Sequence, residues 1–160
     1  MKKFSIVFFL LLVLLLGGMS VYVAKSKDFE KPVSTMSQEA YGIDEDSPIW
    51  DATMDDLAQY LYDNGVLQTL DYELLSEEGV SSVARQYGDL DLYWWDIKNL
   101  DENSEEYKAY KEMEEDGMIN LWGSGNMMAV TRQGPFGIWT ESYGGNLEEL
   151  MKIYHSFGTE

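Results

Sequence analysis

The sequence has no cysteine, one histidine and three prolines, and its 11 lysines and arginines face 29 aspartates and glutamates. The missing cysteines exclude disulfides, thiolate metal sites and a lipid-modified cysteine as an anchor. A single histidine also leaves too few ligands for a zinc site. The shortage of basic residues argues against binding to nucleic acid or to an anionic membrane surface, because both depend on lysine and arginine.

Charge is also missing from one long stretch near the start of the chain. Residues 4–24 contain no charged side chain, and Lys2 and Lys3 precede them. Roughly 20 apolar residues suffice for a membrane-spanning helix, and a basic start before an apolar core is equally typical of a cleavable export signal. Residues 1–24 are therefore predicted to be an export signal or a membrane anchor. The rest of the chain is expected on the outer side of the cell membrane. It is either attached there through a single membrane-spanning segment or secreted.

The remaining chain is strongly acidic. All 29 acidic residues follow residue 24, and they face only nine basic ones. This charge favours cationic partners, such as a basic protein surface. Residues 25–47 show little periodicity and are predicted to be a flexible linker. Residues 48–160 are rich in aromatic side chains, which disordered acidic segments lack, so they are predicted to fold as one extracytoplasmic domain.

Helix signals occur at several places in this domain. Each of three predicted helices follows a cap residue with an acid three positions later: Thr53 and Asp56, Asn103 and Glu106, Asn146 and Glu149. A weaker helix within 66–88 is predicted from the spacing of Val80, Val83, Ala84 and Tyr87, with Gly88 at its end. The domain is therefore expected to hold three to four helices.

Strand signals fill the segments between these helices. Leu90 to Ile97 is rich in aromatic residues that favour strands and is predicted to be one. Three shorter strands are predicted over 118–122, 126–131 and 136–141, with glycine-containing turns between them. The predicted fold class is α+β. It is a small, four-stranded, mostly antiparallel sheet, with about three to four helices packed on one side of it.

The motifs of common catalytic and cofactor sites are absent from the sequence. Neither a glycine-rich phosphate loop nor a nucleophile elbow occurs, so no cofactor is predicted. His155 lies at the end of the last predicted helix and is interpreted as structural. Asp91 and Asp96 flank a tryptophan pair but point to opposite faces of the predicted strand. The stretch from Asp101 to Glu112 imitates a calcium loop but has Glu106 in place of the required glycine, so no metal site is predicted.

Two groups of residues remain as candidate binding sites. Trp94, Trp95, Trp122 and Trp139 lie in neighbouring predicted strands and could form an aromatic face that stacks on a sugar. The acidic helix over 103–116, which Gly117 is predicted to end, offers a docking face for a basic partner, of which Glu112, Glu114 and Glu115 are the candidates.

Three functions follow from these candidates, in decreasing order of expectation. The first is a non-catalytic extracytoplasmic domain that binds a protein partner at the cell envelope. The second is carbohydrate binding on the aromatic sheet face. The third is a hydrolase that works with carboxylates alone and needs two close acids in a cleft. An enzyme is the less expected outcome.

Overall fold

The computed structural model describes Ile43 and residues 46–76, 79–121 and 124–159. The predicted export segment, most of the predicted linker and Trp122 lie outside these residues. Within the described part of the chain, every helix is too short or too polar to cross a membrane. All described residues belong to one compact unit, Ala40–Glu160.

The described chain contains three helices separated by groups of three and four strands. After a 3-10 turn at Pro48–Asp51, the elements are α1 (Met54–Asp63), β1 (Glu73–Leu74), β2 (Val83–Tyr87), β3 (Leu90–Trp94), α2 (Glu105–Asp116), β4 (Met118–Leu121), β5 (Asn126–Ala129), β6 (Thr131–Gln133), β7 (Phe136–Trp139) and α3 (Leu147–Ser156). The α+β class is confirmed. The main sheet has five strands instead of four, in the order β1-β2-β3-β7-β6, and β4 and β5 form a separate pair. All strand pairs are antiparallel.

The predicted starts of α1 and α3 are confirmed. The Thr53 hydroxyl accepts a hydrogen bond from the Asp56 N–H at 3.3 Å, and the Asp56 carboxylate accepts one from the Thr53 N–H at 2.7 Å. The Asn146 side chain likewise accepts from the Glu149 N–H at 3.3 Å. Such caps satisfy amide groups that have no partner inside the helix and contribute about 1 kcal/mol each.

The predicted cap of α2 is wrong by one residue. Ser104, not Asn103, accepts from the Tyr107 N–H at 3.1 Å. Asn103 forms a local turn instead, in which its N–H donates to the Asp101 carboxylate at 2.9 Å. The predicted end of the helix is confirmed, because Gly117 adopts the left-handed conformation with φ of 69°.

The predicted weak helix within 66–88 is wrong, and β2 occupies its second half. Val80, Ala84 and Tyr87 are all buried, as a helix face would be, but they belong to two different clusters. Tyr87 packs on one side of the sheet, whereas Val80 and Ala84 pack on the other. A strand buried on both faces shows no alternation, so its buried positions can match helical spacing by coincidence.

The predicted packing of all helices on one side of the sheet is also wrong. One cluster joins the sheet to α1 and α3; its buried members include Leu57, Leu61, Leu92, Phe136, Ile138, Leu150 and Tyr154. The second joins the opposite face to α2 and β4; its buried members include Ala84, Tyr93, Trp95, Tyr110, Met113 and Ile119. A side chain at Gly137 would meet Met113 Sδ at 3.1 Å and Trp95 at 3.2 Å, so this glycine lets α2 approach the sheet closely.

The predicted three-strand meander is interrupted at one residue. The stretch predicted as a single strand over 126–131 divides at Val130 into β5, which pairs with β4, and β6, which pairs with β7. Val130 is buried, and its N–H donates to the Gly117 carbonyl at 2.9 Å. Residues 118–129 therefore form a hairpin whose Ile119 packs in the same cluster as α2.

The two ends of the described domain meet. The Ser47 hydroxyl donates to the Gly158 carbonyl at 3.0 Å. Ile49 and Phe157 are buried in the same cluster, so apolar packing accompanies this hydrogen bond. The segment before α1 and the segment after α3 are thereby fixed side by side.

Candidate functional site

Trp95 is a core residue. Its side chain is 0% exposed, and its indole N–H donates to the Val80 carbonyl at 2.8 Å. The Tyr93 and Tyr110 rings lie 6.3 and 6.0 Å from the Trp95 ring, centroid to centroid. A residue enclosed in this way is inaccessible to a sugar, because stacking requires an exposed ring face.

The other two described tryptophans of the predicted aromatic face, Trp94 and Trp139, do not form a continuous platform with each other. Trp94 is partly buried against the α1 and α3 cluster, whereas Trp139 is partly buried against the α2 cluster on the opposite face. Trp122 lies outside the described residues. The predicted single aromatic face is therefore not formed by Trp94, Trp95 and Trp139.

The three candidate acids of α2 have different surroundings. Glu112 and Glu115 are exposed, whereas Glu114 is partly buried. Glu114 forms ion pairs with Lys111 and with Arg132, whose guanidinium nitrogen lies 3.1 Å away. Because Arg132 belongs to β6, Glu114 links α2 to the edge of the main sheet. Glu112 and Glu115 are better placed than Glu114 to meet a partner.

The three residues considered as catalytic candidates, Asp91, Asp96 and His155, each make polar contacts within the fold. Burial raises the pKa of Asp91, while a hydrogen bond from the Gln86 amide at 2.9 Å acts in the opposite direction. Asp96 accepts two hydrogen bonds from Asn99. His155 Nδ1 lies 3.2 Å from the Gln133 amide oxygen, and burial lowers its pKa. Among the described residues, no three His, Asp or Glu side chains are grouped as metal ligands.

An exposed apolar surface lies at the other edge of the main sheet. Four of the six large apolar side chains that are well exposed among the described residues fall between the last turn of α1 and the end of β1, counting both: Tyr62, Leu70, Tyr72 and Leu74. Leu74 is 73% exposed, which makes it the most exposed of the six. Tyr72, Leu74 and the neighbouring Asp55 and Arg85 are called the β1 edge surface below.

Arg85 organises this surface. Its guanidinium lies 4.2 Å from the centroid of the Tyr72 ring, 2.5 Å from the Asp55 carboxylate and 3.2 Å from the Tyr87 hydroxyl. Burial acts to lower the pKa of Arg85, but the hydrogen bonds from Arg85 to Asp55 and Tyr87 outweigh it and raise the pKa above its ordinary value. The arginine therefore remains charged and holds the Tyr72 ring. This ring also packs against the Tyr87 ring, with 5.6 Å between the two ring centroids.

The sequence contains a weak signal of this surface. Residues 70–74 read Leu-Asp-Tyr-Glu-Leu, in which apolar and acidic side chains alternate. Such alternation is typical of a strand with one apolar face. The paired part of β1 is only two residues long, which is shorter than the runs from which strands are normally recognised.

Comparison with known proteins identifies no relative of the chain. No protein-family model, no curated protein and no solved structure matches it. The function is therefore inferred from the residues of the domain itself.

Proposed function

We propose that the chain is a non-catalytic protein-binding module at the cell envelope, delivered across the membrane by residues 1–24. The observation that carries this proposal is the β1 edge surface. Tyrosine and leucine side chains stand exposed there beside an ordered arginine. Protein interfaces are enriched in tyrosine and arginine, and anchors of these types supply most of their binding energy.

The fixed position of the Tyr72 side chain supports a role of this surface in binding. Tyr72 is 46% exposed, yet its ring is held by Arg85 and Tyr87. A side chain that is already fixed loses little conformational entropy when a partner covers it. The Tyr72 side chain is thus already in a fixed position before a partner binds.

The charge of the domain indicates the chemistry of the partner. The chain has a formal net charge of −18, and Asp55, Asp71 and Glu73 are exposed around the apolar side chains. Complementary charge accelerates encounter and discourages partners of the same sign. The expected partner is therefore a protein that presents basic residues.

Cross-linked affinity capture of the full chain from its native cells, with the captured proteins identified by mass spectrometry, tests the proposal. The combined substitution Tyr72→Ala and Leu74→Ala is expected to abolish capture of the main partner. The matched control combines Met127→Ala and Leu147→Ala, which remove two other side chains that are each 49% exposed. Equal capture by both variants contradicts the proposal, and recovery of glycans without a protein partner favours carbohydrate binding instead.

The exposed acids of α2 provide a separate test of the docking face. Glu112→Lys together with Glu115→Lys is expected to weaken capture if the partner also contacts this helix. Glu114 is excluded from the variant, because its replacement would break the ion pair with Arg132. Unchanged capture removes α2 from the binding surface and leaves the β1 edge surface as the site.

A further inference from the structure

We infer that β1 binds an extended segment of the partner as an additional antiparallel strand, and that this segment alternates apolar and basic side chains. The inference rests on the proposed function and specifies how the partner is recognised. Strand addition to an open sheet edge is a general mode of peptide recognition, in which main-chain hydrogen bonds provide affinity and alternate side chains provide specificity.

The hydrogen-bond pattern of β1 leaves its outer side available. Among the described residues, β1 pairs only with β2, with Glu73 opposite Gln86 and Leu74 opposite Arg85. The Leu75 N–H donates to the Ala84 carbonyl at 3.0 Å. Residues of an antiparallel pair alternate between hydrogen-bonded and non-hydrogen-bonded positions. Leu74 therefore directs its N–H and C=O away from β2, towards the open side of the sheet.

The two faces of β1 differ in chemistry. Leu74 lies opposite Arg85 and therefore on the α1 side of the sheet, where Tyr72 contacts the same arginine. The intervening Glu73 points to the other side, and alternation places Asp71 with it. Side chains that face each other across an antiparallel pair lie on the same face of the sheet. An added strand thus meets apolar groups on the α1 side and carboxylates on the other.

Charge selects a basic segment over a second copy of this chain. Antiparallel pairing of two β1 strands would bring the Asp71 and Glu73 side chains of both copies onto the same face. Like charges on directly opposed residues destabilise a strand pair. A partner strand with lysine or arginine at alternate positions converts this repulsion into attraction, while its remaining side chains cover Tyr72 and Leu74.

Arg85 fixes the start of α1 against β2. Its ion pair with Asp55 connects the start of α1 to β2 behind the exposed edge. Tyr62 lies two helical turns beyond Asp55 on the same side of α1, about 10 Å along the axis. Asp55 at the start of α1 therefore lies on the same face of the sheet as Tyr72 and Leu74.

A designed peptide can test strand addition without knowledge of the natural partner. The probe is a fluorescent peptide of alternating valine and lysine, titrated against the full chain in a zwitterionic detergent. In antiparallel pairing, the residue opposite Leu74 shares its face and is therefore a valine, whose N–H points at β1. N-methylation of the valines is expected to abolish binding, whereas N-methylation of the lysines is expected to preserve it.

Substitutions in the protein test the same geometry. Leu74→Pro removes the outward N–H without removing a bond to β2, and proline is tolerated on edge strands. Leu74→Ala keeps that N–H and serves as the reference. Leu74→Pro is expected to bind the peptide about fivefold more weakly than Leu74→Ala, which corresponds to the net contribution of one hydrogen bond. Glu73→Gln is expected to weaken binding less and to reduce its dependence on salt, because exposed charges are screened.

Several results would overturn the inference. The first is equal binding of the two N-methylated peptides. The second is a peptide that carries the same valines and lysines in two separate blocks and binds as well as the alternating peptide. The third is self-association of the full chain that Leu74→Pro abolishes. If Leu74→Pro lowers the melting temperature strongly, the N-methylated peptides decide alone. A natural partner that is lost with Tyr72→Ala and Leu74→Ala but bound normally by Leu74→Pro leaves the proposed function intact and refutes strand addition.

Discussion

The two edge strands of the main sheet are built differently. β6 is held from both faces: the Gln133 amide donates to the His155 and Phe157 carbonyls at 3.1 and 3.2 Å, and Arg132 donates to the Tyr110 hydroxyl at 2.8 Å. Gln133 is only 2% exposed. On β1, Leu74 is 73% exposed, and among the described residues β2 is its only strand neighbour.

This difference fits a structural role for β6 and supports the binding role proposed for β1. An exposed apolar edge strand carries a risk of unwanted pairing, which proteins limit with short strands and charged residues. β1 shows both devices, since it is two residues long and carries Glu73. It nevertheless keeps Leu74 exposed. An edge that excludes like-charged strands but retains an apolar contact is suited to a selected partner.

The largest expected effect comes from the core residue between the two edges. Trp95 donates through its main-chain N–H to the Pro135 carbonyl near β6 and through its indole to Val80 before β2. Trp95→Ala is expected to lower the free energy of unfolding by about 3–5 kcal/mol, because it removes a fully buried aromatic side chain. Denaturant unfolding of the full chain measures this loss. A near-normal stability would contradict the placement of Trp95 in the core.

A pair of substitutions compares the two edges directly. Gln133→Ala leaves the His155 and Phe157 carbonyls without their amide donor and is expected to cost about 1–3 kcal/mol of unfolding free energy. Leu74→Ala is expected to change stability by less than about 0.5 kcal/mol, because the side chain is mostly exposed. Thermal melts of the two variants provide the measurement. Similar losses in both would show that the edges do not differ in this way.

The smallest effect concerns Asp91, whose carboxylate accepts from Gln86 of β2 and so lies in the half of the sheet near β1. Burial raises its folded pKa, so protonation favours the folded state; this stabilisation is complete below the unfolded pKa and is lost as pH rises through the folded pKa. Asp91→Asn is therefore expected to raise the melting temperature at about pH 7 and to have less effect near about pH 3. A difference that is constant with pH would show that Asp91 titrates normally in the fold.

Local signals predicted the elements that depend on local contacts. The caps at Thr53 and Asn146 and the stop at Gly117 involve groups within a few residues of each other, and all three are present as predicted. The α+β class followed from these helices and from the aromatic strand at Leu90.

The prediction was wrong where tertiary contacts decide the structure. β2 is buried on both sides, so its residues carry no alternation, and the division of one apparent strand at Val130 depends on its bond to Gly117. The tryptophan pair signalled a strand but not that Trp95 would be covered by α2. The β1 edge surface was missed because exposure is a property of the assembled sheet, which residues 70–74 do not specify alone.

The hydrogen bond from Ser47 to Gly158 has a topological consequence. Because the entry and exit of the domain are neighbours in space, a short peptide could join them and new ends could be opened at the Asn64–Gly65 turn after α1, where both residues are exposed. Such a circular permutant would keep every strand pairing. It would also move the point at which the leading segment joins the domain from the start of α1 to its end.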